Sequence, residues 1–194
     1  MTVMAAEVGS TSRPLTVRDL EGMPDDGRRY ELIDGELFVT PAPGTYHQTV
    51  AAKMIVVLDN VCPANLHVLP APYAFQMDMR NEVQPDVLVA RIEDLTAKRL
   101  IAPPVLAVEI LSPGTGFRDL HRKKDFYQWV GVPSYWVIDP VEPRLLAFEL
   151  GASGRYGECA EVGPDEEFRT TRPYPVRFTP GELLGKLRNL RLED

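Results

Sequence analysis

The sequence predicts one α/β domain of the α+β kind, with a mixed central β-sheet flanked by helices and with additional β-hairpins. Segments with helical periodicity alternate with short β-prone runs along the 194 residues, an order typical of sheets covered by helices. A hydrophobic content of 44% is enough for a buried core in a chain of this length. Turns such as Asp34-Gly35 separate neighbouring β-prone runs and predict the hairpins.

The first elements follow a polar start of the chain. Residues 1–14 are small and polar without periodicity, so we expect a flexible tail before a single domain over residues 15–194. Thr16, followed three residues later by Asp19, is typical of a short capped helix. The turn Asp34-Gly35 then predicts a hairpin whose two strands are Tyr30–Ile33 and Leu37–Val39.

The middle of the chain predicts a helix followed by the strands of the central sheet. From His47 to Asn60, apolar residues recur at spacings of three and four, which predicts an amphipathic helix with one face on a sheet. A further helical piece is expected over Ile92–Lys98. β-Branched and aromatic residues predict the strands His67–Leu69, Tyr73–Met77, Asp86–Ala90 and Leu106–Leu111.

The last third of the chain predicts one more helix and further strands. Asp119–Val130 has helical composition, and Gly131-Val-Pro133 ends it before the strand Tyr135–Ile138. A glycine-bounded turn predicts a second hairpin. The elements expected after that strand are the hairpin of Leu145–Leu150 and Tyr156–Val162, a strand at Pro175–Phe178 and a short helix near Leu183.

Charge and composition exclude several classes of protein. The formal net charge of −7 counts against tight nonspecific DNA binding, although basic residues crowd into positions 118–124. No apolar stretch approaches the roughly 20 residues that span a bilayer, and residues 1–13 lack the pattern of a signal peptide, so we expect a cytoplasmic protein without a membrane partner. Cys62 and Cys159 have neither zinc-site spacing nor a disulfide framework, and we expect them to be core thiols.

Two carboxylates stand out from their apolar surroundings. Glu109 lies inside the apolar run Val105–Leu111, where an unpaired carboxylate would cost several kcal/mol. A divalent metal ion would compensate it; a buried ion pair with Arg or Lys, or an exposed strand face, is the alternative. Asp86 follows Pro85 at the start of a predicted strand, so its side chain is expected at the end of the sheet.

Several blocks of the chain stand out when they are taken in order. They are Tyr30-Glu-Leu-Ile-Asp-Gly-Glu36, Pro85-Asp86, Val108-Glu-Ile-Leu-Ser-Pro113 and Gly131-Val-Pro-Ser-Tyr-Trp-Val-Ile-Asp-Pro140. Together with His47 and the series Asp119, Lys123 and Tyr127, these blocks resemble the Uma2-type (DUF820) proteins of the PD-(D/E)XK nuclease superfamily, and the resemblance covers most of the chain.

The resemblance implies a restriction-endonuclease-like core and a metal-dependent endonuclease that hydrolyses phosphodiester bonds, with DNA as the expected substrate. Asp86, Glu109 and Glu31 would bind Mg²⁺, or Mn²⁺ in its place. The superfamily lysine is expected two residues after the second carboxylate, where this chain has Leu111. Similar proteins carry the lysine on the following helix, and Lys123 fits that position.

The roles of these and neighbouring residues have structural alternatives. Lys123 could instead form an intrahelical pair with Asp119, and Glu31 could face solvent on its hairpin. His47 could reach substrate or be merely exposed at a helix start, and a lone His is more often structural than catalytic. Substrate contacts are expected from His47, Ser112, Tyr127 and Arg118.

An alternative reading of the whole chain is a nuclease-fold binding or assembly module with weak or no catalysis. The net acidity and the displaced lysine favour that alternative. In either case a homodimer is expected, because dimers are the commonest oligomers and two sites would serve two DNA strands.

Overall fold

A computed structural model of the chain describes the backbone of residues 13–112 and 117–190 and the side chains of residues 13–112 and 121–190. It contains three α-helices in this part, α1 (Val17–Leu20), α2 (Thr45–Asp59) and α3 (Phe117–Val130), and two 3-10 segments, Ile92–Asp94 and Pro180–Leu187. The strands are β1 (Arg29–Ile33), β2 (Glu36–Thr40), β3 (Leu66–Pro70), β4 (Ala74–Asp78), β5 (Asn81–Val83), β6 (Val87–Arg91), β7 (Arg99–Leu100), β8 (Leu106–Ile110), β9 (Ser134–Asp139), β10 (Arg144–Leu150), β11 (Tyr156–Val162), β12 (Phe168–Thr170) and β13 (Val176–Phe178).

The central sheet has six strands in the order β11-β10-β9-β8-β6-β3. Strands β8 and β9 run parallel, because α3 connects them, and the other pairs are antiparallel. This confirms the prediction of a mixed sheet flanked by helices. A second sheet has the order β2-β1-β5-β4-β7, and β12 pairs with β13 as a separate ribbon.

The central sheet is covered on both faces. On one face, α2 packs through Val50, Met54 and Leu58, together with the β12–β13 ribbon and the last 3-10 segment. On the other face, Phe126 and Tyr127 of α3 pack with residues of the five-stranded sheet. Side chains alternate between the two faces along a strand. In β8 the residues that face α2 are Leu106, Val108 and Ile110, and those that face α3 are Ala107 and Glu109.

The first hairpin shows why its turn sequence is specific. Asp34 and Gly35 both have positive φ, 53° and 75°, the pair of values that a tight hairpin turn requires. A Cβ on Gly35 would also lie 2.7 Å from the Cβ of Pro14. The turn prediction is confirmed, and Gly35 is required by both the backbone and the packing.

Some local expectations are wrong. Only Ile92–Asp94 is helical within the expected helix 92–98, and β5, β7 and β12 were not predicted because strands of two or three residues carry little pattern. Cys159 is exposed on β11 and is therefore not a core thiol, whereas Cys62 is half-buried. Trp129 on α3 is 64% exposed. Among the helices of the described part, none has the length and apolar character needed to cross a membrane.

Candidate active site

Asp86 and Glu109 lie opposite each other on neighbouring strands. Strands β6 and β8 pair antiparallel with Val87 opposite Val108, so the next pair in this register is Asp86 with Glu109. The backbone N–H of Ile110 donates to Asp86 Oδ2 at 2.7 Å, which fixes the aspartate against the end of β8. Both carboxylates are buried, with exposed fractions of 4% and 5%. The sheet register therefore brings together two acids that are 23 positions apart in the chain.

The carboxylate of Glu109 is compensated by two side chains from α3. Lys123 Nζ lies 3.1 Å from Oε1 and 3.0 Å from Oε2, and the Tyr127 hydroxyl donates to Oε1 at 2.7 Å. Lys123 and Tyr127 are four residues apart and therefore share one face of the helix. The buried ion pair that the sequence left open as an alternative is present in this structure.

Glu31 completes the cluster from β1. Its side chain is fully buried, and Oε1 lies 3.0 Å from Lys123 Nζ and accepts the backbone N–H of Gln84 at 2.7 Å. Oε2 is also buried and has no hydrogen-bond partner among the described residues. Glu31 therefore faces the cluster, and the alternative of a solvent-facing hairpin residue is wrong.

Asp86 has a separate set of partners. Arg29 donates to Oδ1 at 2.5 Å, and His47 Nε2 donates to Oδ2 at 3.1 Å from the N-terminal end of α2. Burial alone would raise the pKa of Asp86, but the hydrogen bond from His47 and the charge of Arg29 outweigh it and lower that pKa to about 2. Asp86 is therefore ionised at neutral pH.

The second carboxylate titrates differently. Burial raises the pKa of Glu109 to about 7; the charge of Lys123 opposes this shift, while the charges of Asp86 and Glu31 add to it. Burial alone would lower the pKa of Lys123, but the charges of Glu109 and Glu31 outweigh it and raise that pKa. Lys123 consequently remains a cation. Three carboxylates face two cations, Arg29 and Lys123, which leaves one negative charge when all are ionised.

Two cavities meet at Asp86 and Arg29. The smaller one has a volume of about 30 Å³, and its walls include Glu31, Glu109, Ser112 and Lys123. That volume suits one ion or water molecule and excludes a nucleotide. A larger cleft of about 670 Å³ lies on the other side of Arg29 and Asp86 and includes His47.

The side chains around the small cavity are of the chemical type that binds a hard divalent cation. Asp86 and Glu109 offer carboxylate oxygens, and Glu31, whose Oε2 has no hydrogen-bond partner among the described residues, lines the same small cavity. Within the described ranges, however, no three His, Cys, Asp or Glu side chains are arranged to hold a metal ion. The two carboxylates of Asp86 and Glu109 match the one or two that Mg²⁺ usually takes from a protein. A third protein ligand from Glu31 stays a prediction.

The other residues expected at the site are placed in different ways. Tyr127 is fully buried with its hydroxyl on Glu109, which corrects the expected direct contact with substrate, since such a contact needs an exposed group. Ser112 and His47 border the two cavities. The side chain of Arg118 lies outside the described residues, as do residues 113–116 after Ser112. Lys124 points away from the cluster, with Nζ 3.6 Å from the centroid of the Phe148 ring.

Arg29 is the one charged member of the site that sequence reasoning missed. It is two positions before Glu31 on β1, and residues at that spacing share a face of a strand. That spacing was the available signal, but it becomes informative only when Glu31 is known to face inward. Gln84 was also missed, and it could not have been found because it contributes a backbone N–H.

Comparison with known proteins gives the family. No curated protein matches the chain. One matching solved structure is the crystal structure of a putative nuclease belonging to DUF820 from Anabaena variabilis, with a TM-score of 0.74 and 16% sequence identity, covering 88% of this chain and 98% of that one. This likeness confirms the nuclease-type fold. The family Uma2, described as "Putative restriction endonuclease", matches residues 17–179. The chain therefore belongs to the Uma2 family.

Proposed function

We propose that this protein is a metal-dependent endonuclease that hydrolyses phosphodiester bonds in DNA, with Mg²⁺ held by Asp86 and Glu109. The observation that carries the proposal is the buried cluster of Glu31, Asp86, Glu109 and Lys123 beside a cavity that suits one ion. Membership of a family described as a putative restriction endonuclease supports a nuclease at a coarse level. We further propose that the protein acts on DNA as a homodimer.

The residues of the cluster would have distinct tasks. Asp86 is kept ionised by Arg29 and His47, so it offers a charged ligand across the neutral pH range. Tyr127 and Lys123 hold the Glu109 carboxylate in one orientation by hydrogen bonds to both of its oxygens. Among the described residues, Lys123 and Arg29 are the cations paired with these carboxylates, and they would stabilise negative charge that develops on a phosphoryl group. A bound Mg²⁺ would supply Lewis-acid polarisation of the phosphate and a water of lowered pKa.

The electrostatic balance supports a cation at this place. Without one, the three carboxylates and two cations carry one net negative charge when Glu109 is ionised, and that charge repels a phosphodiester. A divalent ion reverses that sign and makes the site attractive to phosphate. No covalent protein intermediate is required for this chemistry.

The test is nicking of supercoiled plasmid, since a closed circle offers no end to an exonuclease. Wild type, Glu109→Gln and the control Glu161→Gln would be compared with Mg²⁺, with Mn²⁺ and with chelator. Glu161 is an exposed glutamate of the same sheet, paired with Arg144. We expect metal-dependent nicking by wild type and control, and a loss of at least about 100-fold in Glu109→Gln, since even outer-shell partners of a metal are worth about 10–100-fold.

A second candidate function is a nuclease-fold binding module without hydrolysis. One observation favours it: Lys123 already compensates Glu31 and Glu109, so the cluster needs no metal to be stable. Absence of nicking by wild type under every metal condition would contradict the endonuclease. Calorimetric titration with Mg²⁺ would then show whether the carboxylates bind a metal at all.

A further inference from the structure

The larger cleft is a built site next to the carboxylate cluster. It lies between α1, β1, α2 and the segment after β3, and its volume of about 670 Å³ is within the range of small-ligand sites, about 300–1,000 Å³. Its walls include Tyr30, Ala52, Ile55 and Pro72, and its inner end is formed by Arg29 and Asp86. Arg29 and Asp86 also border the small cavity that contains Glu109 and Lys123. A ligand in the cleft would therefore end beside the proposed catalytic residues.

The lining of the cleft combines apolar side chains with hydrogen-bonding groups. Ile55 and Pro72 offer apolar surface, and the Tyr30 ring carries the Arg28 guanidinium at 5.5 Å from its centroid. Gln48 and Gln84 add amide groups that both donate and accept. Apolar surface beside groups that donate and accept hydrogen bonds suits a nucleobase, which has two apolar faces and a polar edge. The lining also carries charges of both signs, on Glu21, Asp25, Glu82, Arg28 and Arg99.

His47, in the wall of this cleft, has a buried ring nitrogen without a hydrogen-bond partner among the described residues. His47 lines the cleft, is only 6% exposed, and uses Nε2 for Asp86. Its Nδ1 has no hydrogen-bond partner among the described residues. A buried nitrogen without a partner is uncommon and costs free energy, so His47 is a polar residue of the cleft wall that the described residues leave partly unsatisfied.

We propose that the cleft binds one unstacked nucleotide of the substrate, with the base between the apolar walls and the phosphate at Arg29. A base within a duplex presents only its edges in the grooves, so it can enter the cleft only after leaving the stack. The preferred substrate is therefore single-stranded or locally unpaired. The net charge of −7 agrees with recognition of one nucleotide rather than a long row of phosphates.

Binding is tested without any cleavage, using deoxyadenosine 5′-monophosphate and inorganic phosphate as probes in the presence of chelator. Ala52→Trp fills the cleft, and Val56→Trp places the same ring on α2 outside it, at a residue that is 54% exposed. We expect the nucleotide to bind wild type at least tenfold more tightly than phosphate, and Ala52→Trp to bind it at least tenfold more weakly. Val56→Trp should bind like wild type.

A second variant covers the case in which Ala52→Trp does not fold. Gln48→Leu keeps the size of an exposed residue one helical turn earlier on the same wall and removes its amide. It should also weaken nucleotide binding without changing phosphate binding. Equal affinity for nucleotide and phosphate in wild type, or unchanged nucleotide binding in the folded cleft variants, would overturn the assignment of the cleft.

The substrate preference rests on the proposed nuclease function, whereas nucleotide binding does not. Cleavage of a single-stranded oligonucleotide is expected to exceed that of its duplex in wild type, and Ala52→Trp should lose this preference. Nucleotide binding without any nicking would contradict the endonuclease and leave the cleft assignment standing. Plasmid nicking without nucleotide binding would contradict the cleft assignment and leave the endonuclease standing.

Discussion

Replacement of Lys123 by methionine removes the cation of the cluster while keeping a side chain of similar length. Lys123 Nζ lies 3.0–3.1 Å from oxygens of Glu31 and Glu109, and all three residues are buried. Without it, two carboxylates remain in the interior with no cation between them. Breaking a buried pair in this way costs about 3–5 kcal/mol. At roughly 2–4 °C per kcal/mol for a domain of this size, Tm should fall by about 6–20 °C.

The assay is urea unfolding in chelator and again in excess Mg²⁺. If the freed carboxylates bind the metal, an Mg²⁺ concentration 100 times above Kd should restore about 2.7 kcal/mol. The control is Lys124→Met, at the neighbouring lysine. The ammonium group of Lys124 lies over the Phe148 ring and not at the cluster. That variant should lose about 0.5–1 kcal/mol and gain no special response to Mg²⁺.

Two results would refute the reasoning. A loss below 1 kcal/mol for Lys123→Met in chelator would show that the carboxylates do not depend on the lysine. A loss of about 3–5 kcal/mol in chelator without any recovery in Mg²⁺ would show that the carboxylates do not bind the metal. If the proposed endonuclease is correct, the refolded variant with Mg²⁺ should still cleave more slowly than wild type, because the cation is missing.

Three further variants test the structure around the site. Tyr127→Phe removes a buried hydrogen bond to Glu109 and should cost about 1–2 kcal/mol by thermal unfolding, whereas Tyr135→Phe, whose hydroxyl has no partner among the described residues, should be neutral or slightly stabilising. The folded-state pKa of Asp86 lies below its ordinary value of 3.8. Ionised Asp86 therefore stabilises the fold by about 2 kcal/mol above pH 4, and this contribution is lost as the pH falls through about 2. Asp86→Asn should reduce this loss of stability at acid pH, the acid limb of the stability profile. Gly35→Ala adds a steric clash to an unfavourable φ and should destabilise more than Gly154→Ala, which has the same sign of φ in open space.

Each of these variants has a contrary result. Equal losses for the two tyrosine variants would mean that the Tyr127 hydrogen bond contributes nothing particular to stability. An acid limb that is unchanged in Asp86→Asn would show that another group carries it. Equal destabilisation by the two glycine variants would mean that the contact with Pro14 relaxes freely.

Local pattern determined most of the fold in advance. Three features depend only on near neighbours in the chain and can be predicted without tertiary structure. They are the Asp34-Gly35 turn, the spacing of apolar residues in α2 and the alternation in β10 and β11. The apolar run around Glu109 likewise predicts a buried strand that holds a carboxylate. Family resemblance then grouped Glu31, Asp86, Glu109 and Lys123, and the structure places these four side chains together.

The tertiary structure decided what surrounds those residues. Whether Glu31 faced solvent or the cluster depended on how the hairpin packs against the central sheet, and local alternation is the same in both cases. Arg29 joined the site for the same reason. Tyr127 lost its expected contact with substrate because the position of α3 buries its hydroxyl against Glu109. The large cleft could not be read from sequence, since α1, β1 and α2 enclose it only after they have packed.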